Sequence, residues 1–181
     1  MPVSLKHRSP TGETRPWTVK EILQGKPIGH PSHPMFVHFP IAFYLAALAF
    51  DVMSRITPSP GLVMAATYLI LGAAGFTVIL AITGLIDWWG MVRGSDKRRI
   101  ATRHMLLQLL AGALFQATLV LRWSDRSATQ ARGLWIALEV VGFLVITVAQ
   151  YLGGVLVYEK AMRVHTGVRT SPPMDVSPGA R

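Results

Sequence analysis

No cysteine occurs among the 181 residues. Its absence excludes a disulfide framework, a zinc–thiolate site and a thiol nucleophile, and leaves the redox compartment open. Charge is also scarce: Asp, Glu, Lys and Arg make up 15% of the chain against 51% hydrophobic residues, with a mean hydropathy of +0.39. Those proportions are unusual for a soluble domain. No secretory signal is visible, because Lys6, Arg8, Arg15 and Lys20 fall in the N-terminal stretch with no apolar run between them. Repeats of ~20–50 residues are missing. So are phosphate-cradling, metalloprotease and nucleophile motifs, and no defined catalytic reaction can be argued.

What the chain has instead is long uncharged runs. Pro27 to Phe50, Gly61 to Ile86 and His104 to Leu121 contain no Asp, Glu, Lys or Arg, and Gly133 to Tyr158 contains only Glu139. Each approaches or exceeds the ~20 residues that a helix needs to cross a bilayer core. Spans are expected at about 38–56, 62–86, 104–122 and 134–157, the first serving as the insertion signal. A soluble bundle would carry polar stripes, whereas Gly61 to Ile86 is apolar or small on every face. The fold class is therefore all-α, an integral membrane bundle of four transmembrane helices.

Four spans put both termini and the central connection on one side. That side holds Lys6, Arg8, Arg15, Lys20, Lys26, Arg93, Lys97, Arg98, Arg99, Arg103, Lys160, Arg163, Arg169 and Arg181; the other holds Arg55, Arg122, Arg126 and Arg132. The bias predicts a multi-pass protein with both termini cytoplasmic. The net charge of +9 is accounted for by anionic lipid headgroups, so the bilayer is the expected partner and nucleic acid is not.

Residues 1–33 read as a cytoplasmic, mostly irregular segment, except that Thr18-Val-Lys-Glu21 has the spacing of a capping box before Ile22 and Leu23. A short interfacial helix ending at Gly25 is expected there. Residues 34–160 form the four-helix transmembrane domain. Residues 161–181 are expected to be a disordered cytoplasmic tail, given Pro172, Pro173, Pro178 and Gly179 without apolar periodicity. Ala42 with Ala46, Gly72 with Gly75, and Ala113 with Ala117 are small residues one turn apart that would let helices approach. Gln108, Gln116 and Gln150 are candidates for hydrogen bonds across the bundle.

A polar constellation falls at one end. The first span opens with His30-Pro-Ser-His33-Pro-Met-Phe-Val-His38-Phe-Pro40, and the second closes with Gly84-Leu-Ile-Asp87-Trp88-Trp89-Gly90. Arg103-His104 opens the third, and Gly153-Gly154-Val-Leu-Val-Tyr158-Glu159 closes the fourth. Antiparallel threading brings His33, His38, Asp87, His104 and Tyr158 to one depth, and convergence of this kind marks a candidate site. Each residue also has a plain structural role open to it. Trp88, Trp89 and Tyr158 suit an interfacial aromatic belt, and Asp87 can neutralise Arg103 or stabilise a helix terminus. Pro34 fits a first turn capped by Ser32, which leaves Pro40 in the helix interior, freeing the Phe36 carbonyl for a histidine ring. At the other end Asp51 and Glu139 are intramembrane acids, functional by default, with Arg55, Arg122 or Arg132 on hand for an ion pair.

At these motifs the sequence resembles the bacterial four-helix membrane proteins known as domain of unknown function 2231. The resemblance rests on His33-Pro-Met-Phe-Val-His38-Phe-Pro40, Gly84-Leu-Ile-Asp87-Trp88, Arg103-His104 and Gly153-Gly154-Val-Leu-Val-Tyr158, and covers roughly residues 30–160. It implies a four-helix domain of the bacterial inner (plasma) membrane without an established activity. The chain is also distantly similar to the diheme b-type cytochrome superfamily. That pattern places histidine pairs near both membrane faces, whereas the outer half here has none, which argues against two-haem electron transfer across the membrane.

Three readings follow. A redox subunit would bind a single b-type haem between His38 and His104, or a quinone, with Trp88 and Tyr158 completing the cofactor site and other membrane redox subunits as partners. A metal site would combine His33, His38, Asp87 and His104 around zinc or iron. A structural or accessory subunit would use the same side chains as an interfacial polar network.

Overall fold

The computed structural model describes residues 6–8 and 12–164. Four long helices dominate: α3 His38–Ile56, α4 Pro60–Trp89, α5 Asp96–Arg122 and α6 Gly133–Tyr158. They are preceded by a hairpin of β1 Lys6–Arg8 and β2 Thr14–Pro16 and by two short helices, α1 Val19–Leu23 and α2 Ser32–Phe36. Consecutive long helices pack against each other and α6 returns to α3, closing a four-membered ring. The four candidate spans are Ser32–Ile56, Pro60–Trp89, Asp96–Asp125 and Gly133–Tyr158.

The distribution of side chains identifies the solvent. Val78, Leu144, Val148 and Val120 stand 55–76% exposed on the helix flanks, while Asp51, Arg122 and Glu139 are fully enclosed. Water would penalise the first set and offers the second no reason to hide, whereas hydrocarbon favours both arrangements. The centre is built from small residues and a few rings. Tyr44 of α3 stacks on Phe115 of α5 with centroids 4.0 Å apart, among Ala47, Ala66, Ala73 and Ala111. Gln116 donates to the Tyr44 hydroxyl at 3.2 Å. Thr77 spends its own proton on the Ala73 carbonyl at 2.8 Å, so the Tyr44 hydroxyl donates to Thr77 Oγ1 at 3.2 Å. This relay ties α5, α3 and α4 together without a charge.

Local chemistry explains the helix ends. Pro60 begins α4 where a missing N–H costs nothing, and the N–H of Ser59 before it donates to the Thr129 carbonyl at 2.7 Å. Ser95 caps α5 by accepting from the Arg98 N–H at 3.2 Å. The capping box at α1 is present in both directions, Thr18 to the Glu21 N–H and Glu21 to the Thr18 N–H. Arg15 and Lys26 close on the same Glu21 carboxylate at 2.9 and 3.1 Å. The bond from Arg15, with the Thr18 N–H behind it, holds the Glu21 carboxyl well below the usual carboxylate range.

Several local expectations are corrected. α5 starts at Asp96 rather than near 104, so Lys97, Arg98, Arg99 and Arg103 ride on its first two turns instead of a loop. The hydrogen-bond ladder is interrupted at Val37, between α2 and α3, but Val37 keeps helical angles (φ −60°, ψ −29°) and Ser32–Ile56 runs as one candidate span, so Pro40 lies inside it and leaves the Phe36 carbonyl without its N–H partner, as expected. Pro31, not Ser32, is the N-cap of α2, and Ser32 Oγ instead donates to the Leu23 carbonyl. Part of the N-terminal segment is a hairpin with Lys6 opposite Pro16, not irregular chain. Ala42, Ala113 and Ala117 are exposed; the close approaches are made by Gly72 against Phe43 and Gly142 against Phe115. The expected disordered tail lies, from residue 165 on, outside the described residues.

Candidate functional site

His33 sits in α2, which packs against α4. Its Nδ1 lies 3.0 Å from Thr83 Oγ1. The Thr83 hydroxyl already donates to the backbone, to the Ile79 carbonyl at 3.0 Å and the Leu80 carbonyl at 3.3 Å. With its proton given to the backbone, the Thr83 oxygen is free to accept from His33, the arrangement that puts the ring proton on Nδ1 and a lone pair on Nε2. His33 Cε1 is 3.0 Å from where a Cβ on Gly84 would be, so the ring lies in a cradle that only glycine leaves open.

His104 repeats the arrangement against α6. Its Nδ1 is 2.7 Å from the Ala149 carbonyl of α6, and a carbonyl can only accept. Nδ1 again carries the proton and Nε2 the lone pair. His104 Cε1 lies 3.1 Å from the place of a Cβ on Gly153. The glycines of the Gly84-Leu-Ile-Asp87 and Gly153-Gly154 motifs are thus seats for two imidazole rings. Gly84 and Gly153 each lie five residues before the last residue of their helix, Trp89 in α4 and Tyr158 in α6, so the two seats share one end of the bundle.

The other sequence-predicted residues have different surroundings. His38 is exposed at the start of α3. Tyr158 is 88% exposed at the end of α6. Trp88 turns inward, donating from Nε1 to Thr102 Oγ1 at 2.9 Å, with the Arg98 guanidinium 4.1 Å above its ring. Asp87 pairs with Arg163, not with Arg103, and accepts from Gln24 Nε2 at 3.3 Å. It therefore fastens the segment before α2 and the chain after α6 to the end of α4. Among the described residues no three His, Asp or Glu side chains gather where they can hold a metal ion. The pair that the fold seats in matching environments is His33 with His104; His38 stands outside it.

An open cleft of about 770 Å³ adjoins this end, lined by Arg15, Lys20, Lys26, Lys97 and Arg163 together with Glu21 and Asp87 among others. Five cations against two carboxylates make it attractive to anionic headgroups.

The opposite end holds a constellation whose composition the sequence reading left open. Arg122, the last residue of α5, reaches both Asp51 of α3 and Glu139 of α6, the latter at 2.8 Å. All three side chains are fully enclosed. Trp135 lies 4.8 Å below the guanidinium. The backbone closes over them: Ser54 Oγ donates to the Asp51 carbonyl at 2.7 Å and accepts from the Ala131 N–H at 2.9 Å. Asp51 and Glu139 were visible as acids inside apolar runs; choosing Arg122 over Arg55 and Arg132 needed the α5 register.

Against this geometry, the family described as Predicted membrane protein (DUF2231) matches residues 29–166. The chain belongs to that family. The match spans all four long helices, both histidine seats and the buried ionic triad, and leaves the β hairpin and α1 outside. Membership establishes a membrane protein and carries no activity with it. The likeness to diheme cytochromes gains nothing from the match. No curated protein and no solved structure matches the chain.

Proposed function

We propose that this DUF2231 member is a bacterial inner-membrane subunit, both termini cytoplasmic, in which His33 and His104 hold one redox cofactor near the cytoplasmic face. The cofactor is a single b-type haem or a quinone. One observation carries the reading: each ring sets its Nδ1 against an oxygen of a neighbouring helix, Thr83 Oγ1 at 3.0 Å and the Ala149 carbonyl at 2.7 Å, the arrangement in which Nδ1 holds the proton and Nε2 keeps a lone pair. That tautomer is the one that ligates haem iron or accepts a hydrogen bond from a quinol, and the Nδ1 partner is what orients such a ring. Trp88 supplies an aromatic wall at the same level, held by Thr102. The orientation follows from the basic residues gathered at this end.

An accessory role is the second reading, favoured by the same Nδ1 bonds. They bolt α2 to α4 and α5 to α6, a task complete in itself.

Protein purified from its native membrane separates the two. The redox reading predicts Soret and α bands of a b-type cytochrome, or an extractable quinone, with His104→Ala or His33→Ala removing either. Near-stoichiometric zinc or iron without those bands, lost in the same variants, would replace the redox cofactor by a metal site. A colourless protein with neither metal nor quinone would leave the accessory reading.

A further inference from the structure

The buried ionic triad at the far end is independent of the histidine pair. Asp51 directs both carboxylate oxygens at Arg122, one at 3.3 Å and the other closer. Glu139 Oε1 accepts from the same guanidinium at 2.8 Å. Two carboxylates on one guanidinium leave an excess negative charge in an enclosure bounded by lipid-facing helices, where an uncompensated ion is very costly. A second, separate observation points to what fills the deficit. Glu139 Oε2 and Arg122 Nε are fully buried and have no hydrogen-bond partner, a condition that calls for an explanation in a native interior, and for the carboxylate oxygen a bound proton supplies one. Asp51 Oδ2 and Glu139 Oε1 also converge on one and the same nitrogen, Arg122 Nη2. Two anions so placed repel, whereas one shared proton turns one of them into a donor.

We propose that Asp51, Arg122 and Glu139 form a proton-binding site in which Glu139 carries a single exchangeable proton. A metal cation fits less well, because hard cations take about six oxygen ligands and three of the four carboxylate oxygens here already face the guanidinium. The proton belongs on Glu139, since Oε2 is the carboxylate oxygen not engaged by Arg122. Water lies near: Asp51 is five residues from the end of α3 and Glu139 six from the start of α6, roughly 7–9 Å along each helix.

The surrounding charges are spoken for. On the α5–α6 connection Arg132 pairs with Asp125 and Arg126 lies over Trp123. Arg55 of α3 donates to the Ala131 carbonyl at 3.3 Å. α4 brings no charged group before Asp87.

Infrared spectroscopy of the full chain in lipid nanodiscs reads the proton directly. At neutral pH the wild type is expected to show the C=O stretch of a protonated carboxyl, which disappears on alkalinisation. Glu139→Gln, which imitates the protonated side chain and preserves the fold, removes the band. Asp51→Asn removes it too, because Glu139 then becomes the sole counterion of Arg122. Asp125→Asn leaves it in place. In parallel, the melting temperature of the wild type falls relative to that of Glu139→Gln as the pH rises, since a native state that holds a proton the unfolded chain releases loses stability toward alkaline pH. Absence of the band from the neutral wild type, its survival in both triad variants, or a melting difference independent of pH would overturn the proposal. A sodium-dependent shift of ionised carboxyl bands would overturn it in favour of a cation.

Discussion

Gly142 and Gly153 show at the residue scale how little room the bundle leaves. A Cβ on Gly142 would lie 2.9 Å from Cε2 of the fully buried Phe115, which is itself stacked on Tyr44. Gly142→Ala is expected to cost about 1–3 kcal/mol, the usual range for overpacking a filled core, measurable as a lower melting temperature in detergent. Gly153→Ala meets the edge of the His104 ring at 3.1 Å and otherwise makes ordinary contact with Gln150 Oε1 at 3.9 Å. It should leave the melting temperature nearly unchanged while weakening the bond to the Ala149 carbonyl. Nitrogen NMR of the imidazole should then show loss of the single Nδ1–H tautomer, and an unchanged tautomer would contradict the cradle. The sequence advertised Gly153 as a motif member and gave no sign of Gly142. Their purpose was not legible, because which ring lies against which glycine depends on helix rotation.

The element with the most internal chemistry is α1. Glu21 gathers Arg15, Lys26 and its own capping box, so β2, α1 and the turn after it are held through one carboxylate. With its folded-state affinity for protons depressed, Glu21 contributes stability that is present above the ordinary glutamate range and lost only as pH falls through the lower folded value. Limited proteolysis should therefore find this segment protected at pH ~4, near the unperturbed glutamate value. Arg15→Ala removes the largest cause of the shift and should let cleavage begin within the ordinary carboxylate range; an acid profile identical to that of the wild type would remove Glu21 as the clasp. The capping box was legible because its spacing is local. Arg15 and Lys26 as partners were not, since they converge only after the turn at Gly25, where φ is +76° and a side chain would meet the His30 backbone. The same contrast governs the long helices. Uncharged runs marked their centres, but α5 continues eight residues beyond its apolar run, on a cap and a charged first turn that hydropathy does not register.

For the whole molecule, the four-span bundle follows from composition alone, because ~20-residue apolar helices have few other places to go. The order of packing was less visible. The small-residue pairs read as interfaces include three alanines on exposed flanks, for lipid-facing and helix-facing surfaces are equally apolar in such proteins. Polar residues gave the better guide. His33, His104, Asp87 and Trp88 converge at one end, and the acids Asp51 and Glu139 meet Arg122 at the other. In the proposed topology these ends face opposite sides of a membrane, the histidine end inward. The absence of native cysteine makes that directly measurable with single-cysteine variants in intact bacterial cells, using a membrane-impermeant thiol reagent. Val92→Cys probes the exposed α4–α5 connection and Ser127→Cys the exposed α5–α6 connection. The account predicts that Ser127→Cys is labelled in intact cells and Val92→Cys only after the membrane is disrupted. The reverse pattern would move the histidine pair to the outer face, and equal labelling of both positions in a soluble fraction would contradict the membrane bundle itself.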